Sequence, residues 1–426
     1  MDSKKLLRDI FDAAVKAVNP YNAVRSFIED HFGRWSKGVY VVGFGKAASQ
    51  MGMACEDVLG GKLLGGYLIT KYGHGKKTGM LTLKEAAHPV PDENSIKYTS
   101  ELVDFVDNLT SDDDLICLIS GGGSSLFCKP YEGLTLIDKQ ITTDMLLRAG
   151  ADIFELNAVR KHLSDVKGGR FLYHFRGRNI ASLILSDVMG DRLDVIASGP
   201  TTYDDSTFSE AVDVVYKYGL ESSIPRNVRE VLRNGSEGVI QETLKKGDPI
   251  LDKVENTIIG SLSVAIKAAE EKARDAGMSV LVYDEFITGE AVDAGVSIGA
   301  RVREMIKKRD ERPLCIISGG ETTVTVKGNG KGGRNMELAA GFAKEVKGLE
   351  NITMLSAGTD GNDGPTDAAG AIVDGNTISR ARLSGLDVDE YLGKNDMYHF
   401  FRKEGGLFVT GPTGTNVMDI QIVIIK

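Results

Sequence analysis

Several loops in this chain carry the residue types that handle charged oxygen atoms. Gly43-Phe44-Gly45-Lys46-Ala47-Ala48 lies between an apolar run and a helical one. Its GxGxxA spacing matches a dinucleotide fingerprint, whose glycines let the backbone approach a pyrophosphate at the positive end of a helix. The next apolar run, residues 67–70, ends in Lys71, where a nicotinamide enzyme wants an acid for the ribose hydroxyls. Lys46 points a cation into the same space, which suits a phosphate or a carboxylate directly. A tight turn with a solvent-reaching lysine would give the same pattern. Ser120-Gly121-Gly122-Gly123-Ser124-Ser125 is a second strand-following loop, and consecutive glycines can form a nest of N–H donors for an anion or a flexible turn at a sheet edge. Ser318-Gly319-Gly320-Glu321-Thr322 precedes an expected strand at residues 324–326. Gly328-Asn329-Gly330-Lys331-Gly332-Gly333-Arg334-Asn335 then opens a helix over 336–346, a strong anion-site candidate.

Carboxylates occupy other loops. Asp187 and Asp191 follow the apolar run 183–185, where an aspartate can hold Mg²⁺, accept a hydroxyl proton or cap a helix. Residues 356–367 place Asp360, Asp363 and Asp367 in one loop. Counted from Asp360 it is no EF-hand, since Pro365 stands at the glycine position and Ala371 at the final glutamate. Arg160, Lys161, His162, Lys167 and Arg170 form a basic run that, taken alone, reads as a solvated helix face. No GxxxxGK[ST] loop and no GxSxG elbow occurs. Glycine loops with Lys and Arg beside separate aspartate loops are the inventory of phosphoryl transfer, where positioning and charge neutralisation do most of the work.

The elements that must position these loops follow an α/β rhythm. Strands are expected at 39–42, 66–70, 115–120, 181–186, 258–259, 280–283, 314–318 and 352–355, with helices at 3–31 (interrupted at Pro20), 46–59, 262–276 and 289–308. A parallel sheet flanked by helices is the expected architecture. Turn-rich, charged segments at 234–238 and 245–249 suggest a boundary, giving domains 1–250 and 251–426. Residues 117–126 and 315–324 align as two strand-to-glycine-loop segments. The chain has 426 residues, 42% hydrophobic and 26% charged, which fits two globular domains and excludes disorder. Glycine, at 50 residues against 10 prolines, is concentrated just after the short apolar runs. A net charge of -9 without a basic stripe argues against nucleic acid, and no apolar run is long enough for a membrane helix. The N-terminal residues lack an apolar signal segment, and four cysteines without a CxxC pair read as free thiols in a reducing cytoplasm.

Taken together, the motifs resemble the glycerate kinases whose C-terminal half is the MOFRL domain, a family unrelated to P-loop kinases. The resemblance rests on residues 43–48, 88–92 (His-Pro-Val-Pro-Asp), 119–125, 156–160 (Leu-Asn-Ala-Val-Arg), 185–191, 197–201, 318–322, 332–335 and 358–361. It implies an α/β chain with a Rossmann-like N-terminal domain and a smaller MOFRL-type domain, and ATP-dependent phosphorylation of D-glycerate, typically to 2-phosphoglycerate, between them. ATP and Mg²⁺ or another divalent cation are the implied cofactors. Lys46, Arg334 and Asp187 are the implied catalytic residues. Gly43, Gly45, residues 120–125 (Ser120, Gly121, Gly122, Gly123, Ser124 and Ser125), Gly319, Gly320, Glu321, Thr322, Gly333 and Asn335 are the implied nucleotide-binding positions, and Asp191 and Asp360 the implied metal ligands. The rival expectation is an NAD(P)H-dependent hydroxypyruvate reductase using the GxGxxA loop. Homo-oligomerisation is left open.

Overall fold

A computed structural model describes residues 2–283, 285–308 and 313–426. The chain divides into two compact units, residues 20–259 and residues 1–19 with 260–426. The division in the middle of the chain thus lies between residues 259 and 260. Residues 1–19, expected in the first domain, instead belong with the C-terminal unit.

The first unit is built on a six-stranded sheet of β1 (Val39–Phe44), β2 (Leu63–Lys71), β3 (Leu81–Ala86), β4 (Asp114–Ile119), β5 (Asn179–Leu185) and β6 (Val254–Gly260), in the order β3-β2-β1-β4-β5-β6. β1 runs parallel to both β2 and β4, β2 to β3 and β4 to β5. This is the Rossmann-like order. Every residue of β4 is buried, as expected of a strand covered on both faces, which is why it reads as a continuous apolar run. On one face Val42, Phe44, Ile69, Cys117 and Ile119 share a core with Leu102, Val103 and Val106 of the helix Glu93–Asp107. On the other, Gly52 of the helix Ala48–Leu59 lies so close to Leu68 that a Cβ would stand 2.4 Å from its Cδ1. The helices Leu136–Ala149, Ile153–His162, Phe208–Lys217 and Arg226–Ser236 form a separate small core around Leu146, Val159, Phe208 and Leu232.

The second unit also has six strands: β7 (Ser279–Val282), β8 (Leu314–Gly320), β9 (Ile352–Gly358), β10 (Gly370–Asp374), β11 (Leu407–Phe408) and β12 (Asp419–Ile425), ordered β11-β10-β9-β12-β8-β7. Here the parallel expectation fails for most pairings. β12 runs antiparallel to both β8 and β9, and β10 antiparallel to β9 and β11; β7 alone pairs parallel, with β8. The strand expected at 324–326 does not form, and only Thr323 makes an isolated bridge, to Glu290. Thr323, Thr325 and Val326 are exposed and Val324 alone of the four packs on the core, too little buried face to support one. The aligned segments at 117 and 315 share a strand-to-loop pattern only, since β4 has parallel neighbours and β8 is paired with antiparallel β12. The helix Ser3–Ala17 joins this unit because its apolar stripe, Leu7, Ile10, Phe11 and Ala14, is fully buried there, with Phe11 edge-on to Phe408 at 5.2 Å. No described helix is long and apolar enough to cross a membrane.

The helices Ala291–Lys308 and Arg334–Glu345 cross at glycines. A Cβ on Gly295 would stand 2.0 Å from the Leu338 carbonyl oxygen, and one on Gly341 2.2 Å from that of Val292. Glycine to alanine in a helix ordinarily gains up to about 1 kcal/mol. The backbone on the other side cannot yield, so Gly295→Ala is expected to lose about 1–3 kcal/mol net, read by urea unfolding followed by circular dichroism. A gain in stability would contradict this packing.

Candidate active site

The chain leaves β1 toward β2 and β3 on one side and returns to β4 on the other, so the carboxyl ends of β1 and β4 lie at the switch point where open α/β sheets bind ligands. The two loops there are joined to each other. Lys46 N–H donates to the Gly121 carbonyl at 2.9 Å, and Ala47 N–H donates to Ser120 Oγ at 3.1 Å. Gly45, at φ +128°, is needed for that approach, because a Cβ would fall 2.2 Å from Ser120 Oγ. Gly43 likewise gives room to Leu118 and Leu68. Both glycines of the GxGxxA pattern thus have a packing reason, and two N–H groups of this loop are spent on the second loop. Beneath them Phe44 stacks on Phe127 at 4.0 Å, and Phe171 meets Phe127 edge-on at 5.3 Å, a rigid aromatic floor.

Over this floor four expected residues and one unexpected residue meet. A Cβ on Gly121 would stand 2.1 Å from Asp187 Oδ2; one on Gly122, at φ +82°, would stand 2.8 Å from His88 Cδ2 and 3.2 Å from Lys46 Cε. Lys46, His88 and Asp187 therefore surround the first two glycines of the loop. Gly121 and Gly122 donate no backbone hydrogen bond within the described residues, which leaves both N–H groups for a ligand. Burial raises the Asp187 carboxyl above the usual range, opposed by Lys46. Burial, with Lys46, Lys71 and His74 nearby, pushes the His88 imidazole down to about 4, so it is neutral at physiological pH. Ser125 Oγ donates to the Pro89 carbonyl and ties the His88 segment to the loop. Sequence reasoning gave His88 no role, although its motif at 88–92 was visible. Asp191, with φ +52°, lies in the short turn Met189–Asp191 beyond Asp187.

The basic run does not behave as a solvated face. Lys161, Lys167 and Arg170 are buried, and Lys167 Nζ donates to the Ser124 carbonyl at 2.6 Å.

The C-terminal candidates form their own group in the other unit. Arg334 donates from Nε and Nη2 to both carboxylate oxygens of Asp419, at 2.5 and 3.0 Å, and its Nη1 lies 2.8 Å from Glu321. Its fork is thus engaged by two carboxylates of the chain, and Asp419 was not foreseen. The helix Arg334–Glu345 begins with a carboxylate already in place: Asn335 and Met336 N–H donate to Asp363 Oδ1 and Oδ2 at 3.0 and 2.8 Å. Gly333 permits this, since a Cβ would lie 2.3 Å from Asp363 Oδ1. The anion expected at this helix terminus is therefore supplied by the chain itself. Gly319 and Gly320 pack against Leu262 and the Ile287 backbone, Thr322 is buried, and Asp360 Oδ1 accepts from Asn362 N–H at 2.9 Å.

Comparison with known proteins adds the family. Residues 6–233 match a domain of unknown function, DUF4147, and residues 314–419 match the MOFRL family. A D-glycerate 2-kinase of Thermotoga maritima is 44% identical over 427 residues, 99% of this chain and 98% of that one. A glycerate 2-kinase of Pyrococcus horikoshii is 41% identical, over 100% and 98% of the two chains. A crystal structure of a glycerate kinase from Thermotoga maritima superposes with a TM-score of 0.91 at 43% identity, covering 99% of each chain.

His88 yields a pH test. An unfolded histidine takes its proton near 6.5, whereas the folded one resists down to about 4, so the unfolded chain binds more protons in that window. Relative to His88→Gln, the wild type is expected to lose stability as the pH falls from about 6.5 toward 4. A constant difference between the two, measured by urea unfolding across that window, would mean that His88 is not held neutral.

Proposed function

Because the chain belongs to the glycerate kinase family that carries the MOFRL domain, we propose that it transfers the γ-phosphoryl group of ATP to the C2 hydroxyl of D-glycerate, giving 2-phosphoglycerate and ADP. The observation that carries this reading is the convergence of Lys46, His88 and Asp187 on Gly121 and Gly122 at the sheet's switch point. Asp187, whose burial raises its affinity for a proton, accepts the proton of the attacking hydroxyl. Lys46 neutralises charge on the transferred phosphoryl group, and the loop's free N–H groups hold its oxygens. Neutral His88 offers a hydrogen bond without adding charge. Arg334, held by Asp419 and Glu321, is the second cation of this reading.

Mg²⁺ is usually held by one or two carboxylates together with the nucleotide's own phosphates. The described residues contain no cluster of three or more His, Cys, Asp or Glu side chains, which fits an ion carried in by the nucleotide and met by a single carboxylate, Asp191 or Asp360. Such an ion would neutralise the β- and γ-phosphate oxygens. Four buried free cysteines support a reducing, cytoplasmic compartment.

The direct test is a coupled assay with ATP, Mg²⁺ and D-glycerate, run beside NADH with hydroxypyruvate. Glycerate-dependent ADP formation is expected. NADH oxidation without ADP formation would replace the proposal by the reductase reading, against which Lys71 stands at the ribose position. Arg334→Lys keeps the charge but loses the fork, so it is expected to raise the glycerate KM by more than about fivefold. Unchanged kinetics would remove Arg334 from the reaction.

A further inference from the structure

Lys139, Arg160, Lys161 and Lys167 gather at the far end of the same glycine loop, and among the described residues only Lys161 has a counterion. Lys161, 3% exposed, pairs with Asp204 at 3.0 Å and with Asp194 at 3.6 Å. Lys139, 8% exposed, donates only to the Leu163 carbonyl at 3.0 Å. Lys167, 1% exposed, donates only to the Ser124 carbonyl. Arg160 makes no ion pair or hydrogen bond among the described residues. Burial, then the Arg160 guanidinium, push the Lys167 ammonium well below the lysine range, so the two lie within electrostatic reach. Carbonyl oxygens satisfy the lysine donors but leave the charge unneutralised, and a buried cation without a counter-charge is costly. Such a cluster is stable when something that binds there brings the missing negative charge.

Its position says where that charge belongs. Ser124 is three residues beyond Gly121, at most about 10 Å along the chain. Lys46, His88 and Asp187 face one end of the loop, and Lys167 grips the other. Arg160 is only partly buried, so a solute can reach it from outside while Lys167 lies behind. Its planar fork is suited to two oxygens of one group.

We propose that Arg160, backed by Lys167 and Lys139, is an oxyanion subsite that holds a carboxylate or phosphate group of one of the two substrates at the Ser124 end of the loop. This rests on the kinase reading for which substrate it serves, but not for the binding of an anion. The probe is inorganic phosphate. Millimolar phosphate is expected to raise the wild-type Tm, and Arg160→Gln to lose most of that shift. Arg160→Lys, which keeps the charge and serves if the glutamine variant does not fold, is expected to retain a reduced shift. In the coupled assay the loss of this charged hydrogen bond is expected to raise one KM by at least about tenfold. A raised glycerate KM assigns the subsite to the substrate carboxylate, and a raised ATP KM assigns it to the phosphate chain. A phosphate shift absent from the wild type or undiminished in the Arg160 variants, with both KM values within about twofold, would overturn the subsite. Absence of glycerate-dependent turnover in the wild type would instead remove the kinase reading, while the phosphate shift still decides whether the anion site exists.

Discussion

The close approach of the β1 and β4 loops sets the geometry on which the first unit's site depends. Gly45 has no Cβ, Ser120 Oγ fills that space, and Lys46 and Ala47 are hydrogen-bonded onto the second loop. That stitch places the Lys46 side chain against Gly122, while the N–H groups of Gly121 and Gly122 have no backbone acceptor among the described residues. Ser120, Gly123 and Ser125 spend their N–H groups on backbone carbonyls, whereas those of Gly121 and Gly122 are spared for a ligand. The stacked Phe44 and Phe127 fix its height above the sheet, and Asp187 arrives from β5 on the other flank. A phosphoryl-transfer site requires such preorganisation, since most of its effect comes from charges that need not move.

The second unit solves a different problem. Its glycine loops serve close packing, and its helix terminus is filled by Asp363. What it presents is Arg334, oriented by Asp419 at the start of β12 and by Glu321 just after β8. The antiparallel β12 between β8 and β9 brings these carboxylates together around the Arg334 guanidinium.

The α/β character and the loops were legible because strands buried on both faces are apolar throughout and the loops that follow them need glycine. Less was legible where the decisive contact is distant in sequence. The amphipathic stripe of residues 3–17 shows that the helix is buried but not against which unit. Nothing near Ile420 announces that β12 runs antiparallel between two strands that precede it. Lys161 and Lys167 read as solvated because a charge is ordinarily exposed, and only the fold shows them enclosed. His88 escaped assignment because its role comes from Lys46 and Gly122, which are 42 and 34 residues away in sequence.

Phosphoryl transfer is proposed to occur at the Gly121–Gly122 end of the loop, with Lys46 beside it. Single-turnover transfer from γ-labelled ATP to D-glycerate, compared between wild type and Lys46→Ala, tests it most directly. The chemical step is expected to slow by more than about tenfold while ATP affinity changes little, as befits a cation proposed to act on charge that develops in the transition state. An unchanged transfer rate with weakened ATP binding would contradict it and make Lys46 a binding residue alone.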